Sequence, residues 1–119
     1  MSIHLISLTL LAFALNTVVA ANEVVMGNAE NGRQLWTMKT TVKGDSRSCS
    51  TCHTADPRQT GKHVRTGKLI DPLNPSVNPT SLTDPKKVKK WFHRNCKWTL
   101  GRVCTAQEKA DVLAFLKSN

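Results

Sequence analysis

The sequence predicts an all-α domain, a few helices joined by one long irregular loop. Three observations carry that prediction. Apolar residues recur at helical spacings of three and four in three separate segments. Two of those segments open on capping signals. Four of the five prolines crowd residues 55–80, and no stretch of five residues alternates apolar and polar as a half-buried strand would.

The first helix is read from MGNAENGRQLWTMKT, where Ala29, Gly32, Leu35 and Trp36 share a face. VKGDSRS is a polar loop after it. Residues 55–80 then form a long loop, of the kind that wraps something or performs a function in a compact domain. TDPKKVKKWFHRN is the best-signalled helix. Asp84 caps it and Pro85 suits its first position. Val88, Trp91, Phe92 and Asn95 fall at i, i+3, i+4 and i+7, and lysines 86, 87, 89 and 90 take most of the remainder. The last helix opens on TAQE, a capping-box pattern from Thr105 to Glu108. Val112, Leu113, Phe115 and Leu116 give it a broad apolar face.

One domain is expected in 119 residues. Residues 1–20 are read as a cleavable secretory signal and 21–119 as the mature domain. No Lys, Arg, Asp or Glu occurs from Met1 to Asn22, and the apolar run LISLTLLAFAL is followed by small residues in VVAAN. Cleavage then falls after Ala20 or Ala21, and the mature chain does not span a membrane. The positive flank is thin for a signal, so a retained anchor stays the alternative. The formal net charge of +9 belongs wholly to the mature part. Export argues against a nucleic-acid partner. The charge is better matched to an acidic protein, the acid groups of a cofactor or a membrane surface.

CSTCH, Cys49 to His53, carries the chemistry. In C-x-x-C-H two thiols three apart on one turn add across the two vinyl groups of a haem, and the next histidine falls beneath the iron. Zinc would want further clustered ligands, and Cys96 and Cys104 stand eight apart. A dithiol redox site would want a βαβ setting. One motif implies one covalently bound haem c, with Cys49 and Cys52 attached and His53 as one axial ligand.

The other axial ligand is an open question on the residues alone. Met1, Met26 and Met38 all precede the motif, so the usual methionine of a small c-type cytochrome is missing from its usual place. His63, His93 and Asn95 remain. His93 projects about 200° round the helix from Asn95, toward water. His63 lies in a basic loop. Asn95 is an amide on a face read as buried, where it is either a helix-end cap or an iron ligand. Cys96 and Cys104 are the remaining thiols, and in an oxidising compartment such thiols pair. A bond between them would close a short loop beside Asn95, with about 2–3 kcal/mol of stabilisation in the chain-entropy account. Arg65 and Lys68, in RTGK, are candidate partners for the haem propionates. The second imidazole nitrogen of His53 is expected to donate to a backbone carbonyl, that of Pro72 by analogy.

RTGKLIDPLNPS, TDPKKVKKWFHRNC and GRVCTAQEKADVLAFL together resemble the sphaeroides haem protein family, small exported c-type cytochromes of the class I fold. The likeness runs from about Asn31 to Leu116. It implies that Asn95 is the sixth iron ligand and that Cys96 and Cys104 form a disulfide. It further implies a reduced form that binds O₂, NO and CO, and a di-haem cytochrome c as electron donor, at times with a membrane cytochrome b. A neutral, hard amide oxygen suits Fe(III) better than Fe(II), so reduction should loosen it. Three functions then compete: an oxidoreductase acting on O₂ or a nitrogen oxide, a simple periplasmic electron carrier, and a gas-binding or sensing module without turnover. CO binding separates the carrier from the others, and steady O₂ consumption separates the first from the third.

Overall fold

A computed structural model describes residues 24–118. The expected signal segment lies outside the described residues. Within them four helices dominate, with two short antiparallel ladders.

Helix α1 spans Ala29–Thr37. It starts where Asn28 accepts a hydrogen bond from the Asn31 amide at 2.9 Å, satisfying one of the first-turn donors. A hairpin follows, β1 (Thr40–Val42) on β2 (Asp45–Arg47). Lys43 and Gly44 join the strands, both at positive φ, 52° and 85°. That pair of left-handed residues gives the turn whose twist matches a two-residue hairpin.

Helix α2 is one turn, Ser50–His53. The loop after it is pinned rather than loose. The Pro57 carbonyl accepts from the amides of Leu73 (2.9 Å) and Asn74 (3.0 Å). Asn74, 1% exposed, donates its side-chain amide to the Ser118 carbonyl at 2.7 Å. A second ladder, β3 (Gly61–Lys62) with β4 (Leu69–Ile70), folds the loop back on itself.

Helix α3 spans Pro85–Leu100. Asp84 caps it by accepting from the amides of Lys86 and Lys87, and Gly101 ends it at φ 72°, a conformation glycine adopts without steric cost. Helix α4 spans Ala106–Lys117 behind the complete Thr105–Glu108 capping box.

The core is the crossing of α1 and α4. Trp36 from α1 meets Val112, Phe115 and Leu116 from α4, with Leu35, Cys49, Leu73, Leu82 and Phe92 packed around them. The crossing is tight because of glycine. A Cβ on Gly32 would lie 2.0 Å from the Asp111 carbonyl oxygen. Asp111 is buried there and accepts from the Asn28 amide at 2.7 Å and the Gln107 side chain at 2.8 Å. No helix among the described residues is long and apolar enough to cross a membrane.

Candidate haem-attachment site

The attachment turn is held by hydroxyls. Ser48, 2% exposed, lies 2.8 Å from the Ser50 hydroxyl and 2.9 Å from that of Thr51, while its amide donates to Thr51 Oγ1 at 3.0 Å. The helical turn this starts carries Cys49, Cys52 and His53 within one revolution. The His53 amide bonds back to the Cys49 carbonyl at 3.2 Å. Residues three apart on a turn share a face, so the two thiols have the relation that C-x-x-C-H implies.

Both thiols are free and half-buried. As a free thiol Cys49 is pushed up to about 11, chiefly by burial, with the Thr99 side chain beside it pulling the other way. A thiol held protonated this far up is a poor thiolate nucleophile. That argues against a dithiol redox site. Burial alone lowers the pKa of His53. Burial thus favours the neutral form of the ring, the form that ligates a metal. Behind the turn, Gly61 packs so closely that a Cβ would lie 2.2 Å from the Cys52 carbonyl oxygen.

Trp36 supports the same turn from below. Its ring centroid is 5.4 Å from that of His53, and its Nε1 donates to the Thr54 carbonyl at 2.8 Å. The sequence marks Trp36 only as core, since a hydrogen bond spanning 18 residues leaves no local signal. The Pro72 carbonyl, the acceptor expected for His53, takes the Asn78 side-chain amide at 2.8 Å.

One reading of Asn95 is corrected: helix α3 does not end there but continues to Leu100. In the polypeptide alone Asn95 is exposed and Trp91 is 52% exposed, while Val88 and Phe92 are half-buried. The helix is anchored by Cys96 and Thr99, near its C-terminal end. Asn95 stands one turn before Thr99 on the same side of the helix, and the Thr99 side chain lies beside Cys49. The stripe that carries Asn95 therefore leads to the attachment turn.

Cys96 and Cys104 are joined by a disulfide, with Cα atoms 5.6 Å apart. Because Cys96 is inside the helix, the bond clamps the last helical turn to the start of α4. His93 is exposed. His63 is half-buried in the β3–β4 turn, where its Nδ1 accepts from the amides of Arg65 (3.3 Å) and Thr66 (3.2 Å). Arg65 and Lys68 sit exposed in that same turn.

Charge is distributed unevenly. The four ion pairs among the described residues all use arginine, namely Arg33, Arg47, Arg58 and Arg102. Helix α3 carries no acid, and Lys86, Lys89, Lys90, His93 and Arg94 line an open groove of about 360 Å³. Arg94 stacks over the exposed Trp91 ring at 5.2 Å.

A family model described as a domain of unknown function, DUF1924, matches residues 22–116, and the chain belongs to that family. The cytochrome c-type protein SHP of Cereibacter sphaeroides is 47% identical over 103 residues, which are 83% of this chain and 79% of the relative. The chain is a member of the SHP family. The solved structure of an oxidized SHP, described as an oxygen-binding cytochrome c, is 49% identical with a TM-score of 0.71, covering 76% of this chain and 81% of that one. Oxidized cytochrome c'' from Methylophilus methylotrophus gives 37% identity and a TM-score of 0.69 over 76% of this chain and 75% of that one.

As an SHP-family member the chain is a c-type cytochrome with the helical, class I-like fold of these neighbours. Its own residues fit a haem. Two thiols and an imidazole lie on one half-buried turn. Large apolar side chains are also exposed at Val64, Leu69, Val77 and Trp91, by 51–69%.

Proposed function

We propose that the chain is an exported monohaem cytochrome whose sixth ligand, Asn95, leaves on reduction. Residues 1–20 act as the signal, and the mature domain works in the periplasm. Cys49 and Cys52 hold one haem c through thioethers, His53 supplies the proximal nitrogen and Asn95 the opposite amide oxygen. Arg65 and Lys68 serve the propionates. When bound, the haem supplies a one-electron change at iron and, at a free axial position, an affinity for O₂, NO or CO.

The observation that carries this reading is the stripe on α3, where Asn95 lies one turn from Thr99 and Thr99 lies beside Cys49. No methionine follows the motif to compete for the position. A neutral oxygen donor favours the ferric over the ferrous ion, which gives the release its direction. The SHP neighbour described as oxygen-binding supports the same outcome.

The cationic groove on α3 fits an acidic electron donor, for which the family resemblance names a di-haem cytochrome c, in some cases with a membrane cytochrome b. Exposed lysines steer such a partner, and a rate that falls steeply with salt is the signature. Onward transfer to O₂ or a nitrogen oxide is the oxidoreductase form of the proposal. The plain carrier is the form in which Asn95 stays bound.

The deciding experiment is absorption spectroscopy of wild type and Asn95→Ala in both oxidation states, with and without CO. The wild type is expected to show a ferric spectrum that Asn95→Ala alters, and a reduced form that takes CO quickly in both proteins. An unchanged ferric spectrum in Asn95→Ala would remove Asn95 as ligand. A reduced wild type that resists CO would leave the carrier.

A further inference from the structure

Arg47 lies two residues before Cys49, at the end of β2, and it is placed unusually for an arginine. Its side chain is only 15% exposed, although Asp45, its ion-pair partner at 2.8 Å, is 70% exposed and would be reachable from solvent. The guanidinium instead turns inward and stacks on the Trp98 ring, 4.5 Å from its centroid. Its Nη1 donates to the Trp98 carbonyl at 3.1 Å. Its Nε is buried without a partner, a cost that the surrounding contacts must outweigh.

The Trp98 carbonyl is among the last four of α3, which have no partner within the helix. Arg47 supplies both a donor and a positive charge at the negative end of the helix dipole. One residue further, the Thr99 side chain lies beside the Cys49 thiol. The attachment segment therefore meets residues 98 and 99 of α3, with the Arg47–Trp98 bond and stacking as the firm link. The disulfide at Cys96 adds a second hold on the same turn. Asn95 is the residue immediately before that turn.

We infer that Arg47 is a positioning residue for Asn95, fixing the height of the ligand-bearing turn of α3 relative to the attachment turn. The inference rests on the reading of Asn95 given above. Loosening Arg47 then makes release easier without removing the ligand.

The test is the rate at which cyanide binds the ferric holoprotein, a rate limited by departure of the sixth ligand. In Arg47→Met the guanidinium contacts are lost and the aliphatic stem is kept. Cyanide association is expected to rise on the order of tenfold, and backbone amides of residues 96–100 to exchange faster with solvent. Trp98→Leu, which removes the stacking surface from the other side, is expected to do the same and stands in if Arg47→Met fails to fold. In an Asn95→Ala background neither substitution should change the cyanide rate. A rate within twofold of wild type in a folded Arg47→Met or Trp98→Leu protein would overturn the inference. So would an increase of the same size in the Asn95→Ala background, since it would then not act through Asn95. If Asn95 is not the ligand at all, Asn95→Ala by itself leaves the ferric spectrum unchanged, which separates the two failures.

Discussion

The indole of Trp36 lies 5.4 Å from the imidazole of His53, the planes tilted by 40°, and it reaches past that ring to the carbonyl of Thr54. Thr54 has φ 65°, a strained value for a β-branched residue. Three hydrogen bonds keep it there: Trp36 Nε1 to its carbonyl at 2.8 Å, its hydroxyl to the Asp56 carbonyl at 2.8 Å, and its amide to the Ser50 carbonyl at 2.9 Å. The strain sits at the exit of the attachment turn, where the chain must turn away from His53. Trp36→Phe keeps an aromatic ring and removes the donor. It is expected to cost about 1–3 kcal/mol in denaturant unfolding. Trp36→Leu, which also loses ring packing, should cost more. Equal losses in the two variants would show that the hydrogen bond and not the ring carries the effect.

The α1–α4 crossing allows a sharper contrast between two glycines. Gly32→Ala places a methyl 2.0 Å from the backbone oxygen of Asp111, and backbone cannot step aside as a side-chain tip can. The helices must separate, and Trp36 and Phe115 with them. A loss of about 3 kcal/mol or more is expected, well beyond the roughly 1 kcal/mol that alanine gains in helix propensity. Gly44→Ala meets nothing within 4 Å, and its cost comes from φ 85° alone, about 1–2 kcal/mol. Urea midpoints of the two variants measure the difference. A milder effect at Gly32 than at Gly44 would contradict the close crossing.

The disulfide joins two buried residues, Cys96 at 6% and Cys104 at 7% exposure. Replacing both by serine opens the short loop and buries two hydroxyls. The expected loss is about 2–3 kcal/mol, read from thermal or denaturant unfolding of the oxidised wild type against the double variant. In the holoprotein, thiol titration under denaturing, non-reducing conditions should find no free thiol. Cys49 and Cys52 are then thioethers and the other pair is bonded. Two reactive thiols would sink the second half of that statement.

Much of this could be read from the chain before the fold was known, and the reasons differ by element. Asp84 with Pro85, and Thr105 with Glu108, announce their helices because capping is settled within four residues of sequence. The C-x-x-C-H turn is likewise local. The end of α3 is less legible, because Gly101, and not Asn95, supplies the left-handed stop, and a lone glycine six residues further on is a weak signal. Val88, Trp91, Phe92 and Asn95 share a face by spacing, and spacing gives the face but not what it meets. Arg47 on Trp98 and Trp36 on Thr54 link residues 51 and 18 apart. Nothing in the sequence near either residue points to its partner.

Glu108 gives a prediction in pH. It closes the capping box by accepting from the Thr105 amide at 2.8 Å and binds Arg102 through both carboxylate oxygens, at 2.7 and 2.8 Å. The Arg102 guanidinium, ahead of the Thr105 contacts, holds its carboxyl down to about 2 from an ordinary 4.5. A folded-state pKa below the unfolded one means that the folded protein prefers the carboxylate. The stabilisation is therefore complete above about pH 4.5 and is lost as pH falls from there toward 2. The arginine is exposed, so most of the benefit comes from the cap, about 1 kcal/mol. Glu108→Gln keeps the size and some of the capping geometry and cannot titrate. At pH 7 it should unfold at a lower temperature than wild type. The gap between the two should narrow as pH is lowered below about 4.5 and close only as pH falls through about 2. The position beside Cys104 makes this a test of the α3–α4 junction as well. A gap that stayed constant down to pH 2.5 would mean that the Glu108 charge contributes nothing, and that the box is held by the Thr105 hydroxyl alone.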